Sequence, residues 1–472
     1  MAYAEKRGGL WRARWRGPGG TLESKSGFRT RKAAEDHARD QEAAIRNDTY
    51  VDARAGRITL TDWVNLWFPA LDLEPTTMNN YRYMIEVHIL PTFGDRALAS
   101  LSTEEIALWE MNLVASGLTR RTAHDARSTL TTVLADAIPR YIKVNPAARR
   151  RGKGRKGLRR IERIEKKRKV WATPLQALLI AERAATLSGT STDFVLLVTV
   201  AYTGMRWSEA IGLPPDCIRS DALDIHWKLY ELNGRFYRGR PKDGSMRTAD
   251  LPPFLYELLT DHLSVAQGRS CTCRSQHGGG SDIEWCTGSE YVFLGPHGGH
   301  FRRSNYSERV MRPAADGWYP ARKGGSPRPM APVLVDVAGP WPGRPLPPWP
   351  SATPGVAAYV PPTGRGRPRL GEDTRPVSWL PLLHGLSPHG LRHGHQTWMD
   401  EVGTSYVLQS ERMGHEVPGM RGVYSHVSKP MRAGLVTALQ ALWEESLDER
   451  ALIAPRSAVG ALDALLLARR GH

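Results

Sequence analysis

The chain has 472 residues, of which 41% are hydrophobic, and a formal net charge of +17. This length exceeds one ordinary core, so we expect two to four domains. The strong positive charge favours a polyanionic partner, most simply nucleic acid. No apolar run approaches the ~20 residues of a membrane span, and no secretory signal is visible. Only four cysteines are present, so we expect a cytoplasmic protein in a reducing compartment, without a membrane partner.

The first 53 residues show the pattern of a small sheet followed by a helix. Trp11, Ala13 and Trp15 alternate with arginines, as in a half-buried strand. A Gly-Pro-Gly-Gly turn follows, and Thr30 then stands where it would cap a helix. The arginine face of the strand could contact phosphates or face solvent, and the sequence favours neither.

Residues 57–147 predict a helical domain. Apolar residues recur at helical spacing from Leu60 to Trp67 and again from Tyr81 to His88. Such stripes indicate the packed core of a helical bundle rather than a cofactor site.

A dense basic run, residues 149–169, dominates the predicted interdomain linker 148–170. It holds 13 basic and two acidic residues, a net charge of +11 out of +17 for the whole chain. Like charges at this density repel one another and cannot build a core, so the run predicts a linker. It is either a solvated tether or a strap along DNA. In a strap, each neutralised phosphate would steepen the log–log salt dependence of binding by about one unit.

Residues 171–447 contain the chemically informative positions. An apolar helix is expected to end at Gly204 and to present Arg206. The segment 222–251 alternates like a hairpin or three short strands, with Lys242 beside its second turn.

A long insertion, about residues 266–380, interrupts this region. It contains 14 of the chain's 34 prolines between Pro327 and Pro376. Proline removes backbone donors and opposes both helices and sheets, so we expect an irregular, partly disordered segment. A loop of this length is uncommon within a compact domain.

Six residues could together hold a phosphodiester and attack it without a metal. They are Arg206, Lys242, His389, Arg392, His415 and Tyr424. A planar guanidinium donates two hydrogen bonds to two phosphate oxygens. A tyrosine can supply the nucleophile and form a phosphotyrosine, and a lysine can protonate the leaving 5′ oxygen. Each residue alone is a weak signal, and their joint order carries the prediction.

This constellation resembles the signature of the tyrosine recombinases of the phage-integrase family. That signature has an Arg after Thr-Gly, a Lys on a β-hairpin, a His-x-x-Arg box, a Gly-His and a C-terminal Tyr. The intervals of 23 residues from Arg392 to His415 and 9 from His415 to Tyr424 agree with it. The resemblance also assigns a structural carboxylate to Glu209 and a supporting role to His393. Lys228 is a second candidate for the lysine.

The resemblance implies a multidomain fold, mainly α with small β-sheets. Residues 1–53 would be a three-stranded-sheet and helix domain that binds arm-type DNA, and 57–147 a helical core-binding, SAM-like domain. Residues 171–447 would be the α+β catalytic domain. The tail, 448–472, would either pack on a neighbouring protomer or be a frayed helix.

The resemblance further implies a site-specific recombinase that integrates or excises a phage or mobile element through a 3′-phosphotyrosine. The expected partners are double-stranded DNA attachment sites and three further copies of the chain in a homotetramer. An accessory protein that bends DNA or sets direction is a further expected partner, and the bacterial nucleoid is the expected location. No cofactor would be required for catalysis.

Three alternatives remain open from the sequence. A type IB topoisomerase-like nicking enzyme shares the chemistry but exchanges no partners. A catalytically inactive DNA-binding regulator would lack a site residue, and all six are present. A zinc-dependent nuclease would need carboxylates beside a metal.

The insertion also contains a Cys₃His set that a structural zinc could use, with unliganded thiols as the alternative. The set comprises Cys271, Cys273, His277 and Cys286, with His297 and His300 as further candidate ligands.

Overall fold

A computed structural model describes most of the chain between residues 2 and 470. The segments outside the description are 1, 48–49, 51–54, 150–168, 242–243, 266–269, 274–283, 287, 296, 321–330, 333, 337–343, 347–375, 379, 418–425 and 471–472. The chain divides into two compact units, Met1–Lys167 and Arg168–His472. Among the described residues no helix is both long enough and apolar enough to cross a membrane.

The N-terminal region is a three-stranded antiparallel sheet followed by a helix. Its elements are β1 (Tyr3–Arg7), β2 (Leu10–Arg16), β3 (Leu22–Phe28) and α1 (Arg31–Arg46), with strand order β1-β2-β3. Ala13 and Trp15 of β2 are buried together with Ala34 and Ala38 of α1. The Thr30 side chain accepts a hydrogen bond from the first turn of α1 at 3.2 Å. The predicted strand alternation and helix cap are therefore confirmed.

A helical bundle follows in the same unit. Its helices are α2 (Leu60–Trp67), α3 (Pro75–Tyr83), α4 (Leu90–Phe93), α5 (Thr103–Ala115) and α6 (Arg120–Ala135). A π-helical segment, Met84–Ile89, joins α3 to α4. Leu60, Ile85 and Leu130 are fully buried in its core, as the apolar stripes of the sequence predict.

A buried carboxylate ties the first residue of the basic run to this bundle. Glu110 of α5 is 3% exposed and accepts from Arg127 at 3.0 Å and from Arg149 at 2.6 Å. Arg149 therefore completes a buried ion pair instead of belonging to a solvated linker. The remaining linker residues, 150–168, lie outside the description.

The second unit is built around one helix that is buried on all sides. Its helices are α7 (Pro174–Ser188), α8 (Ser191–Thr203), α9 (Trp207–Ala210), α10 (Pro253–Val265), α11 (Arg303–Tyr306), α12 (Arg312–Asp316), α13 (Pro388–Glu401), α14 (Tyr406–Met413), α15 (Lys429–Ile453) and α16 (Gly460–Arg470). Every residue of α8 from Thr192 to Thr203 is buried. A helix that is apolar all round belongs at a core centre, and α7, α10 and α13 pack around α8.

Small antiparallel sheets flank these helices. They contain β4 (Ala222–Ile225), β5 (Lys228–Leu232), β6 (Arg235–Gly239), β7 (Arg247–Asp250), β8 (Glu284–Trp285), β9 (Trp318–Tyr319), β10 (Ala331–Pro332), β11 (Leu334–Asp336), β12 (Arg344–Leu346) and β13 (Pro376–Ser378). The pairings are β4-β7, β5-β6-β8, β9-β10 and β12-β11-β13. The fold class, mainly helical with small sheets, is confirmed.

The segment 222–251 differs from its prediction. It forms four strands in two sheets, not a hairpin or three strands, because β4 pairs with the distant β7 while β5 pairs with β6. The turn at Asn233 and Gly234 is as expected, since both residues have positive φ, +50° and +78°, which suits a tight hairpin.

Part of the predicted irregular insertion belongs to the core. Tyr291, Phe293, Tyr306 and Met311 are all at most 4% exposed and lie in the same hydrophobic cluster as α8. The prediction of an irregular segment from about residue 266 is therefore wrong for this stretch. The prolines that suggested it are concentrated after Pro327, whereas the preceding apolar residues pack normally.

The C-terminal helix α16 packs within its own unit. Leu462 and Leu466 are 0% and 1% exposed and belong to the cluster around α8. The expectation of a frayed helix is therefore wrong for these residues, whereas packing of the tail on a neighbouring protomer stays a prediction. Their spacing of four residues places both leucines on one helix face.

Candidate active site

A left-handed turn after α8 begins the site. Gly204 ends the helix with φ +67°, a conformation that glycine adopts without strain. Arg206 then becomes the N-cap of α9. The predicted helix end and the presentation of Arg206 are thus as expected.

One buried carboxylate joins two arginines from different elements. Glu209 of α9 is 1% exposed. It accepts from Arg206 at 2.8 Å and from Arg247 of β7 at 2.8 and 3.2 Å. Arg206 also donates to the Ser245 hydroxyl at 3.1 Å. The carboxylate therefore fixes both guanidinium groups, which is the structural role expected of Glu209.

Arg392 of α13 links the helix ends that form the site. It is 3% exposed. It donates to the carbonyls of Gly204 and Met413, and its Nη2 lies 3.0 Å from His415 Nε2. Arg392 and His415 are 23 residues apart in the sequence. Their side chains are nevertheless in direct contact, since Arg392 lies on α13 and His415 follows the end of α14.

A second buried arginine also bonds to the segments that form the site. The sequence analysis did not identify it. Arg412, 2% exposed, donates to His395 Nε2 and to the carbonyls of Tyr202 and Asp250, each at 2.9 Å. Arg247 was also missed as a site residue, although it belongs to the strand after Lys242. No local pattern marks either arginine, because their partners are mostly carbonyls distant in sequence.

The electrostatics of this cluster favour an anion. Burial, Arg206 and Arg247 together lower the pKa of Arg392 to about 9, so it stays charged at neutral pH. Burial alone would raise the pKa of Glu209, but hydrogen bonds from Arg247 and Arg206 outweigh it and lower that pKa. Two guanidinium groups, those of Arg206 and Arg247, therefore bond one ionised carboxylate, and the charge of Arg392 nearby leaves the cluster with a net positive charge.

The two predicted histidines are neutral in this environment. Desolvation, with His393 and Arg392 next, lowers the pKa of His389 to about 4. Desolvation and Arg392 likewise lower the pKa of His415. His389 stands in the first turn of α13, after Pro388, and its ring meets the edge of His393 at 4.6 Å between centroids. His393 therefore contacts His389, consistent with a supporting position.

Two predicted catalytic residues lie outside the described residues. Lys242 falls in 242–243 and Tyr424 in 418–425. The alternative lysine, Lys228, begins β5 with its ammonium 5.6 Å from the centre of the Tyr230 ring.

The predicted zinc ligands are partly brought together. Cys271, Cys273 and Cys286 cluster with His300, their ligand atoms all within 4.8 Å of one another. His277 lies outside the described residues. His297, the other candidate, is exposed.

Gly204→Ala is expected to destabilise the second unit by about 2–5 kcal/mol. A Cβ there would lie 2.7 Å from Met413 Sδ and 2.8 Å from His395 Cδ2. The estimate adds about 1–2 kcal/mol for a left-handed alanine to about 1–3 kcal/mol for overpacking. Urea unfolding followed by circular dichroism measures the change.

Gly189→Ala is the matched control for this substitution. Gly189 also ends a helix, with φ +74°, but a Cβ there would meet no atom within 4 Å. It should therefore lose only about 1–2 kcal/mol. Equal losses in the two variants would contradict the steric argument at Gly204.

Comparisons with known proteins agree with this architecture. Residues 59–113 match the family model of the phage integrase N-terminal SAM-like domain, which corresponds to α2 through most of α5. Two strains of Mycobacterium tuberculosis, CDC 1551 and H37Rv, each encode a relative whose name describes a prophage phiRv2 integrase. Each is 25% identical over 276 residues.

The aligned region covers 54% of this chain and 66% of each relative, so the chain spans just under two thirds of the relatives' length. Among solved structures, the Tn1549 transposon integrase in complex with transposon right end DNA has a TM-score of 0.51 at 15% identity. That match covers 80% of this chain and 98% of the solved chain, which is the fragment 82–397 of the integrase. The chain therefore shares the fold of this integrase.

The predicted resemblance to the phage-integrase family of tyrosine recombinases is confirmed by the domain match, the prophage relatives and this fold.

Proposed function

We propose that this protein is a site-specific DNA recombinase that integrates and excises a phage or mobile element. The observation that carries the proposal is the cluster of three arginines, in which Arg206 and Arg247 bond the single carboxylate of Glu209 and Arg392 lies within their electrostatic influence. A phosphodiester has one negative charge and gains another as a nucleophile adds to phosphorus. A preformed, net-positive cluster stabilises that added charge more than the ground state.

The proposed reaction begins when the Tyr424 oxygen attacks the scissile phosphorus. A 3′-phosphotyrosine forms, the phenolic proton of Tyr424 passes to water, the bond to the 5′ oxygen breaks, and Lys242 supplies the proton that this oxygen needs. The 5′ hydroxyl of a partner strand then attacks the phosphotyrosine and releases Tyr424. One phosphodiester is exchanged for another, so neither ATP nor a catalytic metal enters the balance.

The histidines would act as neutral donors. Arg392 Nη2 donates toward His415 Nε2 at 3.0 Å, which places the His415 proton on Nδ1. That N–H can face a phosphate oxygen. His389 stands where the N-terminal end of α13 adds its own preference for anions.

The proposed assembly is a homotetramer on two duplexes. The basic run at 149–169 would contact the DNA backbone, and the N-terminal sheet domain would contact arm-type sites. Two observations support DNA as the partner, namely the chain's net charge of +17 and the DNA bound by the Tn1549 integrase of similar fold. An accessory protein that bends DNA or sets direction completes the proposal.

Covalent trapping tests the proposal. Wild type, Tyr424→Phe and Tyr406→Phe would be incubated with nicked duplexes from the ends of the element that encodes the gene, without added divalent cations. Tyr406, 54% exposed on α14, is the matched control tyrosine. We expect a protein–DNA adduct on denaturing gels with wild type and Tyr406→Phe, and none with Tyr424→Phe.

Other outcomes would select the alternatives. Specific DNA binding without an adduct would contradict the proposal and indicate an inactive regulator. An adduct accompanied by relaxation of supercoiled DNA, but no exchange between two duplexes, would indicate a topoisomerase-like enzyme. Cleavage without an adduct would require a different nucleophile.

A further inference from the structure

Three thiols and one imidazole converge outside the proposed active site. The Sγ atoms of Cys271, Cys273 and Cys286 and a ring nitrogen of His300 all lie within 4.8 Å of one another. Cys271 and Cys286 are 5% and 3% exposed. Buried thiols and an imidazole in one small volume form the ligand set that zinc prefers.

The spacing within the cluster is close to that of a tetrahedral zinc site. Cys271 Sγ and Cys286 Sγ are 3.1 Å apart, and Cys286 Sγ is 3.1 Å from His300 Nε2. The S–S distance is well beyond the ~2.05 Å of a disulfide. Zinc–sulfur bonds of ~2.3 Å in a tetrahedron place two sulfurs ~3.8 Å apart, so the sulfurs need to separate by less than ~1 Å.

Backbone hydrogen bonds fix two of the four ligands and join the segments that carry the other two. The Cys271 N–H donates to Ser289 O at 3.1 Å, and the Cys286 N–H donates to Phe236 O at 3.2 Å. Between the first two cysteines, the Thr272 N–H donates to Gly298 O at 2.9 Å. These contacts fix Cys271 and Cys286 and bring Gly298, two residues before His300, beside the Cys-x-Cys segment.

Aromatic side chains enclose the imidazole. The rings of Phe236 and Tyr291 lie 4.8 and 4.9 Å from that of His300, between centroids. The Tyr291 hydroxyl is 3.4 Å from Cys286 Sγ, where it can donate to a thiolate. Such surrounding contacts orient metal ligands and limit access of water.

We propose that Cys271, Cys273, Cys286 and His300 bind one structural zinc ion. Four protein ligands close the tetrahedron and leave no position for a substrate, which is the arrangement of a structural site. The cluster found among the described residues contains no carboxylate, so it does not match the zinc-dependent nuclease considered from the sequence. His300 replaces His277 as the fourth ligand.

The zinc would join the 270–300 segment to the hairpin of β5 and β6. Cys286 directly follows β8, which pairs with β6 at Tyr237 and Arg238. Phe236, whose carbonyl holds Cys286, also belongs to β6. The metal would therefore stabilise the hairpin that leads to Lys242 without contacting DNA, and metal-binding energy would add to folding energy.

Metal analysis of the full-length protein tests the site. Protein purified from zinc-supplemented medium and dialysed would be measured by plasma mass spectrometry. We expect about one zinc per chain in wild type and at least a tenfold lower content in Cys286→Ser and His300→Ala. His297→Ala and His277→Ala are the matched histidine controls and should retain the wild-type content.

X-ray absorption on the wild-type protein provides a readout that does not depend on a variant folding. The expected zinc shell has three sulfurs at ~2.3 Å and one nitrogen at ~2.0–2.1 Å. A wild type without zinc, or a Cys271–Cys286 disulfide found by non-reducing mass mapping, would overturn the proposal. Loss of zinc in His277→Ala but not in His300→Ala would overturn the assigned fourth ligand.

Discussion

Arg392→Lys is expected to slow formation of the covalent DNA adduct by about 10²- to 10³-fold. Arg392 donates to two carbonyls, Gly204 O and Met413 O, while it also faces His415. One ammonium cannot reproduce this planar, multi-donor geometry, and burial would also favour its neutral form. The positive charge of the site would be misplaced or lost. Single-turnover adduct formation on a nicked site measures the effect.

Arg432→Lys is the matched control for that experiment. Arg432 is 29% exposed and pairs with Asp250 and Glu411, so a lysine there keeps a solvated ion pair worth at most about 1 kcal/mol. Its adduct rate should stay near that of wild type. Similar rates for Arg392→Lys and wild type would show that Arg392 does not stabilise the transition state.

Arg450→Ala should destabilise the second unit by about 3–5 kcal/mol. Arg450 and Glu182 are 0% and 3% exposed and form a two-bond pair at 2.6 and 2.7 Å. Ser457 also donates to this carboxylate at 2.6 Å. Removing Arg450 leaves the Glu182 carboxylate buried in the core without its charged partner. Chemical unfolding measured on the full chain reports the change.

Arg456→Ala provides the comparison. Arg456 pairs with Asp463 but is 57% exposed, so its removal should cost no more than about 1 kcal/mol. The double substitution Glu182→Leu with Arg450→Met should recover much of the loss, since it removes both buried charges. If Arg450→Ala and Arg456→Ala lose the same amount, the buried pair does not stabilise the unit as argued.

The parts of the site that follow from local sequence were predicted well. Gly204 ends α8 where the apolar run of the sequence stops. Arg206, two residues later, is the N-cap of the next helix, α9. Arg392 and His415 lie in short motifs whose interval is visible in the sequence. The structure adds that their side chains touch.

Contacts between distant segments could not be predicted in the same way. Arg247 and Arg412 act through a carboxylate and carbonyls separated from them by 38 to 210 residues, and one sequence contains no signal for such pairs. His300 was named only as one further candidate ligand, because its spacing from the cysteines does not distinguish it from His277 or His297. The hairpin of β5 and β6 was recognisable from Asn233 and Gly234, whereas the pairing of β4 with β7 depends on the whole fold.

The C-terminal helix has a consequence for synthesis of the protein. Leu462 and Leu466 fill the same core as α8, and Arg450 neutralises Glu182 of α7. On the ribosome, α7 and α8 emerge more than 200 residues before these partners. The second unit therefore cannot close its core until nearly all of it has been translated. Until then the nascent chain exposes apolar surface of the kind that chaperones cover, and the candidate active site is assembled only after the whole unit exists.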